Sequence, residues 1–163
     1  MEFRDLYSKD RVFSGKTIIK GDKVPPNLYY LVVFAIIEDN GKYLIQKRTI
    51  DKGGQWAFTA GHPLQGEDSI TGLIREIKEE LNLDIENEEI NLLKTVIDDV
   101  HIIDIYHIKM NLDNNKIKLQ KEEVDDYKIA TTNEIEDIIK QDEFHKKHAE
   151  KYYDIKYNTG VFN

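Results

Sequence analysis

The sequence predicts an α/β (α+β) fold, a mixed sheet with helices packed on its faces, and three observations carry that reading. Residues 28–38 and 42–46 are aromatic and β-branched runs joined by Asp39-Asn40-Gly41, the strongest short-range signal for a hairpin. From Ser69 the apolar period becomes helical, with Ile70, Leu73, Ile74, Ile77 and Leu81 on one face. Further strand-like runs and two terminal helical patterns complete a set of elements that is buried most simply as helices on a sheet.

Taken in order, residues 3–20 alternate weakly around Ser8-Lys9-Asp10 and Ser14-Gly15 and read as a half-exposed hairpin. Lys23-Val24-Pro25-Pro26-Asn27 then breaks regular structure, because proline has no backbone N–H to donate. After the central hairpin, Gly53-Gly54 opens a loop through Trp56, Gly61, Pro63 and Gly66. The central helix starts at Asp68 or Ser69 and runs out to Asn82. Strands are expected over residues 90–97, 101–110 and 126–130. Thr132 or Asn133 is the expected cap of a helix carrying Ile135, Ile138 and Ile139, and an aromatic, Lys-rich helix is expected over 143–153. With no repeat and no linker, residues 1–156 read as one domain and 157–163 as a flexible, frayed tail.

Composition narrows the chemistry. The 163 residues suffice to bury a core, about two thirds of the surface an unfolded chain of that length exposes. No apolar run approaches the roughly 20 residues that span a bilayer, so no membrane partner is expected. The absence of cysteine excludes disulfides, thiolate metal sites and cysteine nucleophiles, and with no basic-then-apolar leader pattern it points to a cytoplasmic address. A net charge of −8 disfavours attachment to a nucleic-acid backbone, which needs cations to displace counterions. The expected partner is a free small molecule, and the oligomeric state is not encoded.

The glutamates are not spread evenly. Glu76, Glu79 and Glu80 stand at i, i+3 and i+4 of the central helix, which places three carboxylates on one face. At about 5 Å and an effective dielectric of about 20, each pair repels by roughly 3 kcal/mol. A hard divalent cation resolves that crowding, and Mg²⁺ binds through a few carboxylates, waters and substrate phosphates. Arg75, four residues before Glu79, can hold that carboxylate by an ion pair. A solvated acidic face is the competing reading of the same three residues.

The surrounding pattern decides between them. Gly61, Glu67, Arg75, Glu76, Ile77, Glu79, Glu80 and Leu83 fall at the spacing Gly, five residues, Glu, seven residues, Arg-Glu-apolar-x-Glu-Glu-x-Gly-apolar, which resembles the Nudix box. One position departs: Asn82 stands where the family has Gly, and Asn is the next best residue for a left-handed helix end. Gly72 inside the helix is a second oddity, unfavourable by about 1 kcal/mol relative to Ala.

The resemblance implies a Nudix-like α/β/α sandwich and a hydrolase that splits a diphosphate (pyrophosphate) linkage in a nucleoside diphosphate derivative. Glu76, Glu79 and Glu80 become metal ligands for Mg²⁺, with Mn²⁺ possible, and Glu79, Glu80, Arg75 and Glu123 form the catalytic set. Glu67 and Gly61 shape the loop. Glu123 precedes the last strand, where the family often supplies a further carboxylate; an exposed acidic turn is its other reading. Arg48 and Lys52 are the candidate substrate-binding cations.

Residues 56–67 also resemble the type I isopentenyl-diphosphate isomerases, but Ala60 occupies the position of their catalytic cysteine. His62 matches a metal-binding histidine of that branch, and by itself reads as a loop residue. Asp98, Asp99 and His101 are expected in a solvated turn, and the 144–148 segment in core packing. A nucleotide or metabolite sensor that binds without cleaving is the alternative function on the same fold.

Overall fold

The computed structural model describes residues 1–163 and opens on the expected hairpin, with β1 (Phe3–Tyr7) and β2 (Phe13–Ile19) paired antiparallel as a small sheet of their own. The Asn-Gly hairpin follows as β3 (Tyr30–Asp39) and β4 (Lys42–Arg48), with Asn40 and Gly41 at φ 48° and 81°, both left-handed as this two-residue turn demands. Two short strands, β5 (Trp56–Ala57) and β6 (Thr59–Gly61), precede the central helix α1 (Ser69–Leu81). Then come β7 (Glu89–Asp98), β8 (His101–Lys109), β9 (Val124–Ala130), α2 (Thr132–Lys140) and α3 (Lys146–Asn158).

The large sheet has the order β5-β4-β3-β8-β7, with β3 and β8 parallel and the other pairs antiparallel. β3 and β4 pair only beside their turn, at Glu38↔Tyr43 and Asp39↔Lys42, and then diverge. β6 takes the vacated side of β3 and β5 that of β4, while β9 runs along the other edge of β4, so the fork stays hydrogen-bonded on both arms.

Alternation along β3 sets the layers. Val33, Ala35 and Ile37 pack with Leu73, Ile77 and Leu81 of α1 on one face. Phe34 and Ile36 pack on the other with Ile135 of α2 and Tyr152 and Ile155 of α3. Both faces of the sheet are therefore covered, as an α/β/α sandwich requires. No helix is long and apolar enough to cross a membrane.

Several boundaries depart from the sequence expectation. Thr131, one residue before the expected caps, closes a capping box with Glu134 at the start of α2. α3 begins at Lys146 rather than 143, because Glu143 and His145 are engaged with the backbone of Trp56 at 2.9 and 2.8 Å. The expected frayed tail is not one: α3 continues to Asn158, and Val161 and Phe162 are buried, the Phe162 ring 4.5 Å from those of Tyr43 and Tyr152. Ile70, placed on the apolar face by periodicity, is 38% exposed, and Ser69 takes the buried position with its hydroxyl bonded to Tyr106.

α1 is fixed at both ends by side chains. Asp68 caps it, accepting from Thr71 N at 2.9 Å. Asn82 adopts φ 61°, ψ 29°, and its amide also donates to Lys116 O at 3.0 Å, so the departure from Gly adds an anchor. Gly72 has its reason here: a Cβ on it would lie 2.9 Å from Pro63 Cα. Gly72→Ala should therefore lower the urea midpoint, because a backbone clash of about 1–3 kcal/mol outweighs a helix-propensity gain of about 1 kcal/mol.

The β1–β2 hairpin is bound to the sheet by an ion pair to a buried carboxylate. Arg11, in its turn, donates to both carboxylate oxygens of Asp104 on β8, and Thr95 Oγ1 donates to Asp104 at 2.6 Å. Burial pushes the Asp104 carboxyl upward, but the bonds from Arg11, Ser69 and Thr95 outweigh it and hold it below the usual range. A carboxyl depressed in this way stabilises the fold above its unfolded pKa of about 4, and that contribution is lost as pH falls through the folded value. Asp104→Asn is expected to lower stability by about 2 kcal/mol near neutral pH in urea titrations. The gap to the parent protein should narrow below about pH 4.

Candidate active site

A cleft of about 590 Å³ is lined from both arms of the β3–β4 fork, by Val32 and Phe34 on one and Gln46 and Arg48 on the other. That volume suits a small molecule. Glu76, Glu79 and Glu80 of α1 line it, as do Lys52 and Glu123 from the facing loops. Of the residues singled out in the sequence, His62, Asp98 and His101 line it too, which corrects the expectation of a solvated turn for the last two. Arg75 and Asp99 are not among the lining residues.

Arg75 is engaged with the protein itself. Its Nε donates to Glu67 at 2.9 Å, Nη2 to Glu67 and to His62 O, each at 3.0 Å, and Nη1 to Glu76 at 3.2 Å and Glu79 at 3.1 Å. Burial lowers the affinity of Arg75 for its proton, but Glu67, Glu76 and Glu79 together raise it. Glu67 also accepts from Leu64 N at 2.6 Å and, against the effect of its own burial, is held below the usual carboxylate range by Arg75. The loop and the helix thus share one charge network.

Glu76 lies directly over Gly61, where a Cβ would come within 2.4 Å of its Cγ and Cδ. Glu80 is the most enclosed of the three, with 7% of its surface exposed. Its one side-chain partner is neutral: Gln46 Nε2 donates at 2.9 Å, while Gln46 Oε1 accepts from Thr59 Oγ1 at 2.8 Å, which fixes the amide's orientation. Burial drives the Glu80 carboxyl up to about 7; Gln46 opposes the shift, and the charges of Glu76 and Glu123 add to it. Burial likewise raises Glu76, against Arg75.

Segment 116–124 brings Glu123 to this wall by capping α1. Lys118 N and Gln120 N donate to the last carbonyls of the helix, Leu81 O at 3.1 Å and Glu80 O at 3.0 Å. Lys52 then pairs with Glu123 at 2.7 Å. Gln46 and Gln120 were missed in the sequence, although a glutamine closing the apolar run Tyr43-Leu44-Ile45 was a signal for the first. His145, Lys147, His148 and Lys151 also line the cleft, where core packing was expected for residues 144–148; only Phe144 of that segment is fully buried.

The donor set of Glu76, Glu79, Glu80 and Glu123 fits a divalent cation in its chemistry. Four carboxylates and no sulfur suit a hard ion such as Mg²⁺. As positioned, no three acidic or histidine side chains converge at metal-ligand spacing. Arg75 holds Glu76 and Glu79, and Gln46 holds Glu80, so convergence on an ion requires these carboxylates to leave their present partners. His62 is kept neutral by burial, its pKa lowered to about 3, with Arg4 nearby.

Comparison with known proteins places this arrangement in a family. A chain from Listeria monocytogenes described as an uncharacterised Nudix hydrolase is 41% identical over 91 residues, 53% of this chain and 54% of that one. The match spans about half the length of such relatives. A nucleoside triphosphatase, NudI, of an Enterobacter species is 45% identical over 53 residues, 31% of this chain and 38% of its own. The fold is similar to that of DR0079 from Deinococcus radiodurans, with a TM-score of 0.72 and 19% identity over 88% of this chain and 91% of that one. The family model of the NUDIX domain matches residues 28–154, most of the sheet and α1, and this chain belongs to that family.

Proposed function

We propose that this protein is a metal-dependent hydrolase that cleaves a diphosphate linkage in a nucleoside diphosphate derivative or a similar small molecule, with Mg²⁺ as cofactor and Mn²⁺ able to replace it. The observation that carries this reading is Glu80, a carboxylate enclosed on a cleft wall with one neutral donor and with Glu76, Glu79 and Glu123 beside it. Buried carboxylates without a cationic partner are costly, and a divalent cation supplies the missing charge. The name of the NudI relative, a nucleoside triphosphatase, agrees with phosphoanhydride chemistry.

Glu76, Glu79 and Glu80 would hold the ion. When bound, it neutralises charge on the diphosphate and acidifies water. The chain's own groups do the rest. Arg75 acts as a positioning residue, fixing Glu76 and Glu79 relative to the His62 carbonyl and Glu67. Lys52 fixes Glu123 on the facing lip, and one of Glu79, Glu80 and Glu123 accepts the proton of the attacking water. Arg48 binds oxygens of the phosphate that leaves, with Lys52 as a second donor.

Two other readings rank below this one. A binder that holds a diphosphate without cleaving it is favoured by one observation, the engagement of Glu76 and Glu79 by Arg75. Turnover that requires Mg²⁺ excludes it. Isomerase chemistry would need an ionisable group near Ala60, which lines the cleft, and the chain has no cysteine to supply it.

Glu79→Gln and Glu80→Gln are each expected to retain the fold by circular dichroism and to lower Mg²⁺-dependent turnover by about a hundredfold or more. The assay is phosphate release from a panel of nucleoside triphosphates, nucleotide sugars and dinucleoside polyphosphates, and unchanged rates in both variants would sink the assignment. Gly61→Ala separates stability from activity. The three atoms nearest its Cβ all belong to the flexible Glu76 side chain, so the expected outcome is a melting temperature close to the parent's and turnover reduced about tenfold or more.

A further inference from the structure

The cleft has a second pole, at the start of α3, which the hydrolysis proposed above leaves without a role. β5 fixes it in place. Trp56 N donates to Glu143 O at 2.9 Å and His145 N to Trp56 O at 2.8 Å, so the first turns of α3 carry His145, Lys147, His148 and Lys151 into the cleft. The floor between the two poles is apolar, formed by Val32, Phe34 and Ile103.

The hydrogen bonds at this pole determine what it can bind. Phe58 N donates to His148 Nδ1 at 3.1 Å, and His148 N donates to His145 Nδ1 at 3.4 Å. A backbone N–H can only donate, so each Nδ1 is an acceptor and each Nε2 carries the proton. Neither Nε2 has a protein partner, and both rings border the cleft. His101 differs: its Nδ1 faces Asp98 O at 3.0 Å and its Nε2 faces Tyr30 Oη at 2.8 Å, so both of its nitrogens are satisfied.

Charge points the same way. Burial lowers the pKa of His145 and, further, that of His148, and the charges acting on them, from Arg48, Lys147 and Lys151, are all positive. Asp98 is paired with Lys147 at 2.6 Å, and Glu150, which also acts on Lys147 and Lys151, does not line the cleft. Lys151 is half-buried with no ion-pair partner within 4.0 Å. An apolar group here would leave two N–H donors and an ammonium unpartnered, and a cationic group would be repelled.

We infer that the α3 pole is a subsite for a second anionic group, a phosphate or a carboxylate, carried by the substrate beyond the leaving phosphate that Arg48 binds. The subsite is built from Lys151, Lys147 and the Nε2–H donors of His145 and His148. Calling the bound group part of a substrate rests on the hydrolase reading; the anion site itself does not.

The test is nitrogen-15 nuclear magnetic resonance of the imidazoles while inorganic phosphate is titrated into the metal-free protein in EDTA. Under these conditions the glutamate pole repels the probe. Saturable Nε2 shifts at His145 and His148 are expected, with apparent affinity reduced tenfold or more in Lys147→Ala/Lys151→Met. No shift in the parent protein would overturn the subsite whether or not the variant folds, and so would an equal affinity in a folded variant. A second arm compares kcat/KM for diphosphates with and without a remote phosphate or carboxylate. Lys151→Met should lower kcat/KM about tenfold for the first group alone, and an equal loss in both would overturn the assignment to substrate. Saturable histidine shifts without turnover of any diphosphate would support the anion site and overturn the hydrolase reading.

Discussion

The Arg75 guanidinium has five N–H donors in a fixed plane, and all five are engaged within the protein. They reach a loop carboxylate, a loop carbonyl and two helix carboxylates at once, which ties the 61–67 loop to α1 at one point. A lysine could not take this place, because a single ammonium presents neither the fork nor the reach. The network also makes the crowding of Glu67, Glu76 and Glu79 tolerable, since each carboxylate shares the same positive charge. The position of the cleft's acidic wall depends on this group, and Arg75 does not itself have to face the cleft.

Close approach of loop and helix has a second requirement, the lack of side chains at two positions. Gly72 lets the α1 backbone meet Pro63, and Gly61 makes room for Glu76. The first is a packing constraint, because backbone cannot yield cheaply. The second is a constraint on where a carboxylate points, because a glutamate chain can move. Gly61, a fixed position of the family motif, therefore sets where the Glu76 carboxylate points, while Gly72, at one of the motif's free positions, sets packing.

The box was legible in the sequence because its logic is local: capping, i to i+4 spacing and a left-handed helix end are all set within a few residues. The hairpin at Asn40-Gly41 was legible for the same reason. What the sequence did not disclose came from pairings distant along the chain. Gln46 reads as a polar interruption of a strand until β6 brings Thr59 and α1 brings Glu80 to its two ends. The tail reads as loose until Phe162 meets Tyr43, 119 residues away. His145 and His148 look like core histidines in an aromatic helix, and only the bridge from Trp56 turns them toward the cleft.

Burying Glu80 is unfavourable for the free chain, and the fold tolerates it because the surrounding elements are rigid. β3 is packed on both faces, α1 is fixed at both termini, and segment 116–124 is held by the helix's own last carbonyls. A looser wall would let water in and relax the carboxylate toward its ordinary pKa. At the other pole the logic is reversed, with donors and positive charge enclosed and acceptors scarce. A substrate of the kind proposed would bring cation-compensated phosphate to one end and an anion to the other. That polarity would orient such a substrate before any chemistry begins, and it follows from the backbone N–H groups that occupy the histidine Nδ1 atoms and from the Arg75 and Gln46 side chains that hold the glutamates.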